Sequence, residues 1–169
     1  MFHTMTRKLI YLFLALLLPG LIFLFLKKFG KNEFAIPTYY QTGVDSLNAI
    51  CGTRYAEPYQ LPDSVLQKTG WEGRPASIFL FQKEVLANKE FKRIMDSFDR
   101  KEFQVVEVDL QKMDKVLSTR WSSCVFMVRA PRNVVLVDSE KKIRGYYAIG
   151  SREEADRLIL EMEILLKKY

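Results

Sequence analysis

The chain contains a single histidine, His3, and only two cysteines, Cys51 and Cys124, in 169 residues. Each scarcity removes a chemistry. With the one imidazole at the third position, ahead of a long apolar run, the remainder of the chain cannot build a Ser-His-Asp triad, and no acid/base pair can be singled out among Glu84, Glu90, Asp96 and Asp99. Two thiols so far apart in sequence fit neither a zinc spacing nor a paired redox motif. Acidic residues are absent from residues 1–31, which carry Arg7, Lys8, Lys27, Lys28 and Lys31. The formal charge of +6 is therefore concentrated there, and residues 32–169 hold 21 basic against 20 acidic groups. A basic excess confined to the flanks of a hydrophobic segment reads as membrane-flanking charge, and a nucleic-acid partner is not expected.

Charge of either sign is missing from residues 9–26, eighteen in a row. At 1.5 Å per residue that run reaches about 27 Å, close to the thickness of a bilayer core, so it is read as a membrane-spanning helix. A cleaved signal peptide is the rival reading. The run is longer than a signal's apolar region, no small-x-small cleavage site follows it, and no lipoprotein cysteine follows it. Pro19 and Gly20 in mid-span are tolerated in membrane helices and are expected to mark a bend. The layout is then a short tail (1–8), a span (9–26), a connector (27–69) and a compact domain (70–169). Two basic residues precede the span and three follow it closely, so charge counting does not set the orientation.

What is present is apolar patterning, 49% of the chain, enough for one ordinary core. Residues 32–69 contain Pro37, Pro58 and Pro62 and several tyrosines without a helical period, and read as a mostly irregular connector in which 34–40 is apolar enough to pack on the domain. Residues 76–81 read as a buried strand, 86–98 as a helix with Leu86, Phe91, Ile94, Met95 and Phe98 on one face, and 103–110 as a second strand. Residues 113–119 read as a short helix and 124–128 as an extended run. The strongest signal closes the chain. Val134 to Val137 is a continuous buried-strand run ended by Asp138 and Ser139, a second run at 143–147 makes a hairpin with Glu140, Lys141 and Lys142 solvated at its tip, and a helix follows. That helix opens with a Ser151–Glu154 capping box and carries Ala155, Leu158, Ile159, Met162, Leu165 and Leu166 at spacings of three and four. The fold class expected is α/β: a mixed sheet with helices on both faces, in thioredoxin-like order, behind one transmembrane helix.

Four segments, Trp71-Glu72-Gly73-Arg74-Pro75, Val134-Val135-Leu136-Val137-Asp138, Ile143-Arg144-Gly145-Tyr146-Tyr147 and Pro58-Tyr59-Gln60-Leu61-Pro62-Asp63, together with the acidic start of the last helix, resemble the Sco/SenC family. These are membrane-anchored, thioredoxin-like copper chaperones for cytochrome c oxidase, and the resemblance covers roughly residues 55–169. The family's chemistry lies in a Cys-x-x-x-Cys after the first core strand and a His before the Val-Leu-Val-Asp strand. Here Gln82-Lys83-Glu84-Val85-Leu86-Ala87-Asn88 follows Phe81 and Ala130 takes the place of the His, so the copper ligands are lacking. The resemblance implies scaffold, membrane location and pathway without the metal. The chain is thus expected to be a non-catalytic accessory factor in respiratory-complex assembly, with an oxidase subunit or copper chaperone as partner. It also implies a cytoplasmic tail and a carboxyl-terminal domain on the oxidising, periplasmic side, a direction that long translocated domains take largely irrespective of charge.

Against this stands a redox or copper-chaperone reading that uses Cys51 and Cys124. In an oxidising compartment the two could form one disulfide tying connector to domain; otherwise they are unpaired thiols, with Cys124 buried. Cys124 with Met127 would suggest a soft copper site. Three positions apart on a strand they would face opposite ways, so no copper cofactor is expected. Pro131 sits where thioredoxin-like folds often place a cis-proline but, three residues before Val134, is read as simply ending a loop.

Overall fold

The computed structural model describes residues 2–29, 35–44, 51–52 and 55–167. Two compact units divide the chain, residues 1–34 and 35–169. The first holds one helix, α1 (Phe2–Phe29), which runs through Pro19. Within it Tyr11–Lys28 forms an 18-residue window of mean hydropathy 1.9 in which no residue is buried. A helix apolar all round is long and apolar enough to cross a membrane.

In the second unit the order is α2 (Asp63–Thr69), β1 (Ala76–Leu80), α3 (Glu84–Ala87), α4 (Lys89–Asp96), β2 (Phe103–Glu107), a 3₁₀ turn (Leu110–Lys112), α5 (Lys115–Arg120), a π turn (Trp121–Val125), β3 (Val134–Asp138), β4 (Ile143–Tyr147) and α6 (Arg152–Leu165). The four strands form one mixed sheet in the order β2-β1-β3-β4. β1 and β2 run parallel through Ile78↔Val105, and β1 and β3 antiparallel through Ile78↔Leu136. Parallel neighbours need a crossover, and α3 with α4 supplies it. β1 and β3 are buried at every position, as central strands covered on both faces should be.

One face gathers Ile78, Leu80, Val134, Leu136 and Tyr147 beneath Phe91 and Ile94 of α4 and Ala155, Leu158 and Met162 of α6. The other gathers Phe79, Val106, Val135 and Tyr146 against Tyr59, Leu61, Val65, Leu66, Trp121 and Phe126. The β3–β4 pairing skips at Leu136/Val137, so Arg144 bulges out of the ladder. That extra residue puts Ile143 and Tyr146, three apart, on the same face and sends Tyr147 to the other. The hairpin turn is held by the buried Asp138 carboxylate, which accepts from the N–H groups of Glu140 (2.8 Å) and Lys142 (2.9 Å) and from Arg144 Nε (2.6 Å). At the turn, Lys141 pairs with Asp63 and Lys142 with Glu140.

Several sequence expectations change here. The segment read as a mostly irregular connector up to residue 69 supplies part of the core. Tyr39 N–H donates to Ile143 O (2.9 Å), Leu61 N–H to Lys141 O (2.9 Å), and Arg144 reaches Ile36 O (2.8 Å), which ties Ile36, Tyr39 and Leu61 to the hairpin. It also contains α2, closed by Gly70 in the left-handed region at φ 73°. The single helix expected over 86–98 is two, because extended Asn88 interrupts it and its side chain caps α4 by accepting from Glu90 N–H at 2.8 Å. The second strand stops at Glu107, and residues 124–128 are not extended, since Cys124 and Val125 belong to the π turn. Ala130–Pro131 is a cis bond, against the reading of Pro131 as a plain loop end. The Ser151–Glu154 box is half made. Ser151 Oγ accepts from Glu154 N–H at 3.3 Å, while the Glu154 carboxylate turns to Ala148 N–H (3.1 Å) and Arg157 (2.9 Å).

Candidate functional site

The two cysteines meet. Cys51 and Cys124 are disulfide-bonded with their Cα atoms 5.8 Å apart, and Cys124 is half-exposed where the unpaired reading would have buried it. Its sulfur is thereby unavailable as a copper ligand, and Met127 is a separate, buried side chain on a residue with φ 53°. Among the described residues no three His, Cys, Asp or Glu side chains gather into a metal-sized cluster.

Cys124 owes its place to a local chain of causes. Asp114 caps α5 by accepting from Leu117 N–H at 2.9 Å, and the helix then widens into the π turn, where Phe126 N–H reaches back to Trp121 O at 2.9 Å. A helix end leaves carbonyls without intrahelical donors. Three consecutive ones are taken by tyrosines from three places in the chain: Tyr55 Oη donates to Cys124 O (2.8 Å), Tyr59 Oη to Val125 O (2.7 Å) and Tyr146 Oη to Phe126 O (2.8 Å). Burial, reinforced by the neighbouring tyrosines, pushes the Tyr59 and Tyr146 hydroxyls well above the ordinary phenol range, so both stay protonated donors. Tyr55, partly open and near Arg120, is raised by burial, with Arg120 opposing.

Tyr55 and Tyr59 line a cleft of about 430 Å³ beside the disulfide. Its inner wall is Tyr59, Val65 and Trp121, all buried, with Tyr55 and Val125; exposed Lys68 and Arg120 stand at its edge. No aspartate or glutamate lines it among the described residues. Residue spacing did not reveal this feature, because Tyr55 and Tyr59 lie in the segment read as irregular and their acceptors lie more than sixty positions away.

The second place of interest is the end of β1, where the resemblance would put thiols and an imidazole. Gln82 follows Phe81 there, and the buried Asn133 side chain donates to Gln82 Oε1 (3.3 Å) and to Ile149 O (3.3 Å) while accepting from Ile149 N–H (2.8 Å). Beside it Lys83 and Lys112 both pair with Asp109, at 3.0 and 3.3 Å. The Lys83 hydrogen bond holds the Asp109 carboxyl below its ordinary pKa. Gln82 and Asn133 are neutral amides that join loop to loop, an arrangement suited to structure and not to thiol exchange or proton transfer. Asn133→Ala leaves the peptide groups of Ile149 without their partner, at a cost of about 1–3 kcal/mol. Thermal unfolding of the variant checks this; an unchanged midpoint would show that water or another group replaces the amide.

No protein-family model matches the chain, and neither curated proteins nor solved structures include one that matches it.

Proposed function

We propose that the chain is a membrane-anchored, thioredoxin-like protein without thiol or copper chemistry of its own, acting by protein contacts as an accessory factor in the assembly of cytochrome c oxidase or a related respiratory complex. The observation that carries the reading is the combination at the end of β1. The strand order β2-β1-β3-β4, with β3 antiparallel to β1, supports a thioredoxin-like reading, and the position where that reading would put reactive groups is closed by the Gln82–Asn133 hydrogen bond. The sequence resemblance to Sco/SenC proteins supplies the pathway. The Cys51–Cys124 disulfide supports a domain on the oxidising face of the membrane, since such bonds persist in periplasmic and extracellular compartments.

A second reading is favoured by the same bond: a half-exposed disulfide that exchanges with a partner's thiols or, once reduced, takes up copper. Cu(I) titration of the full chain in nanodiscs against a chromogenic chelator separates the two. The first reading expects no stoichiometric uptake by either the oxidised or the reduced protein; one Cu(I) held per chain in competition with the chelator transfers the function to the cysteines. Deleting the gene is expected to lower the assembled oxidase in membranes, with restoration by the full chain. Unaltered oxidase content in the deletion strain rejects the assembly role.

A further inference from the structure

The cleft beside the disulfide pairs an apolar, buried wall with an edge of one charge sign. Its volume falls within the range of about 300–1,000 Å³ usual for small-molecule sites. The hydroxyls of Tyr55 and Tyr59 are spent on the carbonyls of Cys124 and Val125, so these residues offer ring surface to the cleft and no free donor. Charged recognition falls to Lys68 and Arg120, which only donate. Several other cations of the domain have carboxylate partners: Lys83 and Lys112 share Asp109, Lys141 pairs with Asp63 and Arg144 with Asp138. Among the described residues no carboxylate lies within ion-pair distance of Lys68 or Arg120, and the other polar residues of the lining, Gln60 and Ser64, are neutral.

We propose that this cleft is a binding site for a small organic anion with a flat apolar body, of the chemical class of an aromatic carboxylate. The flat body lies against Trp121, Tyr55 and Tyr59, where offset or edge contacts between rings add to simple burial. The carboxylate meets Arg120, whose planar fork matches it with two parallel hydrogen bonds, and Lys68 adds a point charge. The wall needs little ordering on binding. The disulfide and the two tyrosine–carbonyl bonds already fix the turn that carries Trp121 and Val125 and directly follows Arg120, and a site fixed beforehand loses less entropy when filled. A neutral ligand of the same shape would bury the same area and leave both cations unanswered. The site is separate from the assembly role and neither depends on the other.

The test is calorimetric titration of the full chain in zwitterionic nanodiscs with 2-naphthoate, and with 2-naphthamide as its uncharged counterpart, empty nanodiscs serving as the blank. One saturable site per chain is expected for the acid, with the amide weaker by about tenfold or more. The exposed pair Lys68→Gln with Arg120→Gln lowers affinity for the acid by at least about tenfold, whereas Lys112→Gln, outside the cleft, leaves it unchanged. Absence of saturable binding by the acid, equal binding of acid and amide, or full affinity in the double variant each overturns the proposal.

Discussion

Replacing both cysteines, Cys51→Ser with Cys124→Ser, is expected to lower the stability of the domain by about 4 kcal/mol, the value of the chain-entropy relation for a loop of this size. The bond spans 73 positions, so in the unfolded chain it forbids a large set of conformations that the serine variant regains. The folded side changes less, because Tyr55 and Tyr59 still hold the carbonyls of Cys124 and Val125. For a domain of this length the loss corresponds to a fall in melting temperature of roughly 10–20 °C. Near-ultraviolet circular dichroism of the full chain in nanodiscs follows the domain through Trp71 and Trp121 without interference from a helix that lacks tryptophan. Reducing the wild-type protein should reproduce the shift of the double variant. If neither treatment moves the midpoint by more than a few degrees, the link is not a stabilising constraint and the π turn stands on the tyrosines alone.

The parts of this fold that were legible in the sequence are those whose cause is local. Val134 to Val137 is a run of β-branched residues and Leu stopped by the turn chemistry of Asp138 and Ser139, so it could be read as a buried strand, and its partner at 143–147 followed from proximity. The final helix announced itself through Ser151 and the buried Ala155, Leu158 and Met162. α2 was missed because seven residues make barely two turns, too few for a period to emerge between Pro62 and Gly70. Gly70, in the left-handed region, was the available stop signal. Residues 124–128 failed for another reason: a short apolar run looks alike in a strand and in a buried helical turn, and only the tertiary donors to its carbonyls decide between them. The bulge at Arg144 and the packing of Ile36 and Leu61 against the hairpin depend on contacts across as many as 108 positions. The candidate site falls almost wholly in this second category. The cysteines were visible as residues, but connectivity cannot be read from spacing, and nothing local ties Tyr55, Tyr59 and Tyr146 to one turn.

Those tyrosines, with Tyr147, make the domain sensitive to alkali. Tyr59, Tyr146 and Tyr147 are nearly or fully buried, and burial is the chief cause that raises each phenol far above its ordinary value of 10.0; for Tyr147 the hydrogen bond to the Glu161 carboxylate raises it further. Below pH 10 the three are protonated in both folded and unfolded chains, and pH has no leverage through them. Above it the unfolded chain releases three protons that the folded chain keeps, so the unfolded state gains stability as pH rises. Each such group removes about 1.4 kcal/mol per pH unit, and three together about 4 kcal/mol per unit. Against a total stability of about 5–15 kcal/mol, the domain should unfold cooperatively within one to a few units above that point. Phenolate absorbance and circular dichroism recorded together check this: three tyrosines should ionise only as the near-ultraviolet signal collapses. Tyr147→Phe removes one titrating group and also the donor to Glu161, and should flatten the alkaline slope by about one third while leaving the slope near neutrality unaltered. Smooth ionisation of all the phenols near their ordinary value, with the fold intact, would mean that these hydroxyls are open to solvent and that the bonds of Tyr59 and Tyr146 to the Val125 and Phe126 carbonyls do not form.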